Sequence, residues 1–537
     1  MNGCDKKGAC DASQVHCRSM KIKIHFEKEA HMKSRTKFLI TLIFIVTAAI
    51  FAIPPMLHPL SVIPRTLSSQ PDFVATPEKA IALNSNSSDV ITLLAVTEKE
   101  NSLAPSLQAR PVDPTTLANL PDYAATDFGH HYTYTISPNR KILAVITWPS
   151  DSNGSGKLHL IDLDTWTDTP VDLQIDNYVS DLTFSADGKK LYWTMPTVRD
   201  PARGILRDYQ LYRYDLASRQ LSAAAQLPSS FFPWSQRLSL GNVAIFGVPT
   251  SADGLTEDMP RVVIVDSARD RIMSDTRLNA VKAGQFHEQI MNATPSTGAE
   301  AWQYVSYSPG LAWDLERNLL YIVHADDDKI TVVDLLKGSV VKHAQIRARQ
   351  PLLEWMSDLL VPAAKAKGGP WLGARVLLSR DGERLYVFSE KTEMGLSEPV
   401  DLRVIAIDGM REIAHRNELL TDFAVTPDGK SLLIVKAEVD NSYGFDTLVS
   451  RDVYVLDAKA LRERTHIRID QVDQLVFNGF SPDGRYAYLR GSSAQWIEGS
   501  GWRNWRTEWQ SLDLNSYHLI SAGESESSYG ALLHIAP

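Results

Sequence analysis

Three ionisable residues recur at one offset in this chain. Asp181, Arg375 and Asp422 each stand four residues before a serine or threonine that opens a polar turn, and His130 and His131 precede the matching stretch of an earlier segment. Aspartate, arginine and histidine brought together could hold a metal ion or a polar ligand, so His131, Asp181, Arg375 and Asp422 form the candidate ligand-binding set. The competing reading is structural: an aspartate at the start of a strand can accept backbone amides of its neighbour. Nothing in the spacing demands chemistry. A second group, His324-Ala325-Asp326-Asp327-Asp328, offers three adjacent carboxylates and invites a calcium reading. Neighbours on an extended chain point alternately, so at most two could share an ion, and a solvated turn is the better reading. Cys4, Cys10 and Cys17 are the three cysteines. Their spacing is not that of a zinc site and no histidine pair completes one, so no metal centre is expected. There is no nucleophile elbow, phosphate loop or HExxH helix. No catalytic residue stands out, and no pattern names a cofactor.

The elements that must position these residues are repeated. Seven alternating apolar strands end in an aspartate before a turn: Asp162, Asp215, Asp266, Asp334, Asp408, Asp457 and Asp513. Upstream in most units lies a strand, a Ser/Thr-x-Asp-Gly turn and another strand, as at Ser185, Ser379, Thr426 and Ser481, with Ser137-Pro-Asn-Arg a degraded copy. Asp-Gly suits a tight hairpin, because glycine accepts positive φ and aspartate can bond its own backbone. Each unit therefore reads as four antiparallel strands. Seven such units stack radially into an all-β, seven-bladed β-propeller, which removes the exposed edges a linear array would leave. The mean marker spacing, about 58 residues, exceeds the ~40–50 of propeller repeats, so the loops carry extra length.

On these turns and strands the units resemble the PD40/TolB-type and YVTN-type (WD40-like) β-propeller repeats, over roughly residues 130 to 523. The resemblance implies the fold and leaves function open, since such propellers serve as scaffolds, binding platforms and enzymes alike. The fold class includes quinoprotein amine dehydrogenase-like subunits and lactonases, some of which bind a metal or polar ligand at the channel mouth. No motif here singles out either, and the tryptophan-bearing repeats of pyrroloquinoline quinone enzymes are missing.

Turn length distinguishes the two faces. The first-to-second and third-to-fourth turns are uniformly tight, whereas the second-to-third loops and the blade connections hold nearly all the extra length. Loops on a rigid scaffold carry function, so the long-loop face is the expected working surface. Its candidate partner-binding residues are Trp496, Trp502, Arg503 and Trp505, with Trp355 from a connection whose Leu352-to-Leu360 spacing predicts a short helix covering the rim. Tryptophan and arginine suit a protein, peptide or glycan partner, although tryptophans also plug gaps between blades.

The N-terminal region reads separately. Residues 1–37 form a basic tail expected in the cytoplasm, with Met20 and Met32 as possible alternative starts. Phe38 to Leu57 is an uncharged apolar run with lysine and arginine on its N-terminal side alone, read as a transmembrane signal-anchor helix that leaves the rest extracytoplasmic. A cleaved signal peptide with Thr47-Ala48-Ala49 as its site is the alternative. Residues 58–120 read as linker, interrupted by a possible closure strand at Val90–Thr97. Of the two stray strand-like segments, Val90–Thr97 and Ala531–Ile535, at least one, Val90–Thr97 being the better candidate, is expected to pair with the outer edge of the seventh blade or to replace its fourth strand. The propeller is placed at 121–537. A net charge of −9 gives no footprint for nucleic acid. The function expected is a membrane-anchored binding or scaffold module. The alternative is a propeller enzyme, lactonase-like or quinoprotein dehydrogenase-like, with its site at the channel mouth.

Overall fold

Alternating apolar and polar residues, with β-branched side chains at the apolar positions, make strands that bury one face on each neighbour. The computed structural model describes residues 93–98, 107–112, 126–129, 131–148, 156–175, 179–200, 205–249, 259–289, 302–346, 371–393, 396–397, 400–440, 447–481, 483–497, 501–525 and 530–534. Their strands form eight antiparallel four-stranded units, seven of them consecutive in sequence. Blades 1 to 7 occupy residues 131–175, 182–226, 231–277, 310–345, 371–418, 420–468 and 474–525, each running in order from its innermost strand outward. The architecture is a β-propeller.

The marker aspartates fall where the repeat places them. Six of the seven end the third strand of their blade, while Asp408 lies just beyond Val400–Ala406, in a short 3-10 turn. At the six strand ends one carboxylate oxygen accepts two amides, as at Asp334 from Leu336 and Lys337 at 2.9 and 3.0 Å. These bonds hold the carboxyls below their ordinary range. The Ser218 amide does so at Asp215 and the Lys337 amide at Asp334, while at Asp457 the Arg464 guanidinium leads. At Asp162, Asp266 and Asp513 burial pushes upward and the hydrogen bonds outweigh it.

The Ser/Thr-x-Asp-Gly turns share one arrangement. Ser185 Oγ donates to Asp187 at 2.6 Å and accepts the Lys190 amide at 2.9 Å, and Thr426 repeats this with Asp428 and Ser431. In the degraded copy Asn139 replaces the aspartate and Ser137 Oγ still bonds it, at 2.7 Å. Glycine is required at Gly382 for two reasons. Its φ is +64°, and an added Cβ would lie 1.6 Å from the guanidinium of Arg317, which reaches across from blade 4 to the carbonyls of Asp381 and Gly382.

Six apolar cores, one per seam, join blades 1 to 7. The seam between blades 3 and 4, for example, buries Phe246, Val262 and Ile264 against Leu320, Ile322 and Val333. The eighth sheet corrects the expectation of seven blades. Leu93–Glu98 pairs antiparallel with Gly530–His534 on one side and Leu107–Val112 on the other, and Thr126–Gly129 forms the outer edge. Both stray segments therefore enter a sheet of their own, instead of extending the edge of blade 7, and Leu107–Val112 is a strand within the stretch read as linker. The marker count misses this sheet because it carries neither an Asp-Gly turn nor a marker aspartate. It closes the ring on both sides. Gly530–His534 lies beside the innermost strand of blade 7, and Phe128 packs edge-on against His159 of blade 1 at 5.2 Å. On the blade 7 face turned away from blade 6, Tyr488 and Ser511 are fully buried and Trp509 is 6% exposed.

A second departure lies at blade 5. The blade connection after blade 3 contains a hairpin, Gly284–Gln289 with Trp302–Ser308, whose second strand runs parallel to the start of Trp371–Leu378. Among the described residues no helix is long and apolar enough to cross a membrane. The apolar run 38–57, the tail before it and the helix expected at 352–360 lie outside those residues.

Two outcomes test this account. Gly382→Ala should cost about 1–2 kcal/mol in chemical denaturation, through αL strain and displacement of Arg317; no change would refute the double requirement. Deleting Leu93–Glu98 should lower the melting temperature by on the order of 10 °C, because it opens the eighth sheet. An unchanged transition would show that the ring does not depend on it.

Candidate functional site

The start of each innermost strand lies at the end of its blade where the second and third strands join, as the pairing of His131 with Trp148 shows for blade 1. His131, Asp181 and Asp422 therefore lie toward the rim that carries the long hairpins, and Arg375, the fifth residue of Trp371–Leu378, stands further along its strand. Side chains are described for three of the four, and His131 is fixed by its backbone alone.

Two of them meet. Arg375 Nη1 donates to Asp422 Oδ1 at 2.9 Å and Nη2 to the Thr421 carbonyl at 2.8 Å, across the seam between blades 5 and 6. The guanidinium lies 4.5 Å over the ring of Phe388 and 5.6 Å over that of Phe423. Asp422 Oδ2 accepts the amide of Phe477, on the innermost strand of blade 7, at 2.7 Å, and Oδ1 also accepts its neighbour's amide at 2.9 Å. One carboxylate thus stitches three consecutive innermost strands. Asp181 does the same between blades 2 and 3. Its Oδ2 accepts the Gln236 amide at 3.2 Å, and Gln236 Nε2 donates back to its carbonyl at 2.5 Å. Arg237 stands 3.7 Å from the same carboxylate. Both aspartates follow the structural reading, and both are committed to the adjoining blade.

The three carboxylates at Asp326 to Asp328 diverge. Asp326 pairs with Lys282 at 3.6 Å, Asp327 with Lys329, and Asp328 with Arg403 at 2.5 Å. No two share a cation. Arg403 also binds Asp401 at 2.6 Å, which in turn meets His415 at 3.0 Å. Burial raises the Asp401 carboxyl, but the hydrogen bonds from Arg403 and His415 outweigh it and hold it low. Among the described residues no cluster of three or more such side chains could hold a metal ion.

Sequence reasoning missed Glu390. It lies opposite Gly373 on the second strand of blade 5, on the face turned to blade 6, close to Arg375 and Asp422. Burial pushes its carboxyl up; Arg375 opposes this and Asp422 reinforces it. The available signal was an acid two residues beyond Phe388, in phase with the buried positions of an alternating strand.

The hairpins of this rim outrun their blades. In blade 7 the second and third strands stay paired out to Ile497 and Gly501, whereas the flanking strands reach no further than Ser492 and Thr507. Blades 2 and 6 extend similar two-stranded ribbons to Asp200 and Ile205, and to Asp440 and Thr447. In the blade 7 ribbon Trp496 and Trp502 occupy directly opposed positions, and Arg503 opposes Gln495. Trp505 lies on the same strand, and Trp355 is outside the described residues.

No protein-family model matches the chain, and no curated protein does. Among solved structures the chain is similar to the dihydro-heme d1 dehydrogenase NirN in complex with DHE, at 12% identity and TM-score 0.48, covering 86% of this chain and 79% of that one. It is also similar to the Cps50 (Swd1) β-propeller domain of Myceliophteria thermophila, at 10% identity and TM-score 0.35, covering 70% and 96%. A third is an oligogalacturonate lyase in complex with manganese, at 13% identity and TM-score 0.37, covering 75% and 94%. Likenesses this distant carry nothing about activity. The repeat resemblance holds at the level of the propeller fold, which rests on the sheet topology itself.

The stitching role of Asp422 has a direct consequence. Asp422→Ala leaves Arg375 Nη1 and the Phe477 amide without their acceptor and should destabilise by about 2–4 kcal/mol. A variant of unchanged stability would return Asp422 to the ligand-binding set. Glu390 gives the opposite sign. A carboxyl raised on folding favours the folded state below its unfolded value of about 4.3 and loses that advantage as pH rises through its folded value. Glu390→Gln should therefore raise the melting temperature near pH 8 and leave it nearly unchanged near pH 4. Equal effects at both would refute the assignment.

Proposed function

We propose that the protein is a binding platform whose working surface is the long-hairpin rim, held outside the cytoplasm by residues 38–57. The observation that carries the reading is the ribbon of blade 7. Its outer half pairs with no third strand among the described residues. A segment that long, built with tryptophan and arginine, is the kind of surface that anchors a protein, peptide or glycan. Trp496 and Trp502 are its proposed anchors, with Arg503, Trp505 and Trp355 beside them.

The enzymatic reading has less support. Asp181, Arg375 and Asp422, the groups it would need at the channel mouth, are engaged with neighbouring strands. Two depressions on the described surface lie elsewhere. One, about 200 Å³, sits among the tight turns at Arg380 and Asp428; the other, about 300 Å³, is on the wall of blade 6 at Tyr454 and Arg468.

The test is capture from a cell-envelope extract with wild-type protein and with Trp496→Ala/Trp502→Ala as bait. If the tryptophans are anchors, the double variant should retain about 30-fold less partner at an unchanged melting temperature. Equal capture would remove the ribbon from the working surface. A C-terminal alkaline phosphatase fusion tests the topology, and activity only of a cytoplasmic reporter at the same position would refute it.

A further inference from the structure

The tight-turn rim carries an unexplained set of apolar groups. Seven large apolar side chains are exposed among the described residues, and two of them, Val198 and Val439, sit on the long hairpins. The other five belong to blades 2 to 4: Leu221 is 39% exposed, Leu240 71%, Met273 49%, Leu336 45% and Val341 51%. Each stands in, or within a few residues of, a tight turn at the end opposite the ribbons. These turns are tied blade to blade. Arg213 of blade 2 donates to both oxygens of Asp270 in blade 3 at 2.8 Å, Thr276 of blade 3 donates to the Gly338 carbonyl in blade 4, and Ser239 donates to Asn318 at 2.6 Å. The five side chains therefore lie along one continuous stretch of rim.

Exposed cations are interspersed with them. Arg219 is two residues from Leu221, Arg271 two from Met273, Lys337 adjoins Leu336 and Lys342 adjoins Val341. The acids of the same turns face inward. The Asp266 and Asp334 side chains are 9% and 17% exposed and accept the turn amides, whereas those of Arg269 and Lys337 are 69% and 74% exposed. Exposed acids do occur on this rim, at Asp187 and Glu316, and Arg269 and Lys337 pair with Asp266 and Asp334, but exposed lysines and arginines outnumber the exposed acids here although the whole chain carries −9.

The pattern identifies a partner by chemistry. A protein interface concentrates its apolar area in a central patch with aromatic anchors and few lysines. Here the apolar groups are aliphatic, separated along a row and alternate with lysine and arginine, which suits a fluid surface of anionic headgroups over acyl chains.

We propose that the tight-turn rim of blades 2 to 4 rests on an anionic phospholipid surface. Leu221, Met273, Leu336 and Val341 enter between headgroups, and Arg219, Arg271, Lys337 and Lys342 pair with lipid phosphates. The inference does not depend on what the opposite rim binds, but it turns that rim away from the membrane.

The experiment uses the full chain with Cys4, Cys10 and Cys17 replaced by serine and one reporter, Leu336→Cys or Val439→Cys, carrying an environment-sensitive fluorophore. Vesicles contain phosphatidylcholine with about one third phosphatidylglycerol and brominated acyl chains as quencher. The label at 336 should be quenched and that at 439 should not, and reversing Arg271 and Lys342 to glutamate should weaken quenching about fivefold per cation. Val341→Cys replaces the 336 reporter if that variant does not fold. An unquenched 336 label, equal quenching at 439, or quenching indifferent to charge reversal would overturn the proposal. Shielding of the 336 label without lipid that disappears on dilution would identify a second copy as the occupant, and would equally overturn it. Partner capture through Trp496 and Trp502 is read separately, so either proposal can fail alone.

Discussion

A sheet with two apolar faces is stable only between two neighbours, and every blade here depends on that condition being met all the way round. Six seams meet it with shared cores of strand residues that are adjacent in the chain. The remaining two seams are made by a sheet whose strands come from opposite ends of the folded region, Leu93–Glu98 and Gly530–His534. That sheet lies beside the innermost strand of blade 7, whose far face buries Tyr488 and Ser511, and through Phe128 it meets His159 of blade 1. The repeated blades supply most of the buried surface, yet their closure is a long-range pairing across more than four hundred residues. Such a contact forms late and at an entropic cost that local hairpins do not bear.

Carboxylates act throughout as acceptors of backbone amides. At the tight-turn end they organise the chain's own next residues, as Asp334 does with Leu336 and Lys337. At the rim of the innermost strands they reach the adjoining blade, as Asp181 and Asp422 do. The chemistry is the same, and the difference lies in what each strand end faces. This use of acid side chains leaves the tight-turn end short and uniform and frees the opposite end to extend. The ribbons of blades 2, 6 and 7 show that extension.

Much of the fold is legible in the sequence, and the reason is local. Alternation, the Ser/Thr-x-Asp-Gly turn and the strand-ending aspartate are each decided by residues within about five positions of one another, where backbone geometry and side-chain acceptors act directly. Hence near neighbours in the chain suffice to place Ser137, Ser185 and Thr426 in their turns and six marker aspartates at their strand ends. The sequence also determined that Asp181, Arg375 and Asp422 stand at equivalent positions in the repeat. What those residues touch was decided only by the tertiary structure. Asp422 takes its acceptor role from Phe477, 55 residues away, and Arg375 meets Asp422 across a seam. Glu390 carried only the faint signal of its phase with Phe388, since what it faces, across the seam to blade 6, is not local in the chain. The eighth sheet is the clearest case. Strands 93–98 and 530–534 bear no repeat mark, and only closure of the ring, a property of the whole chain, pairs them.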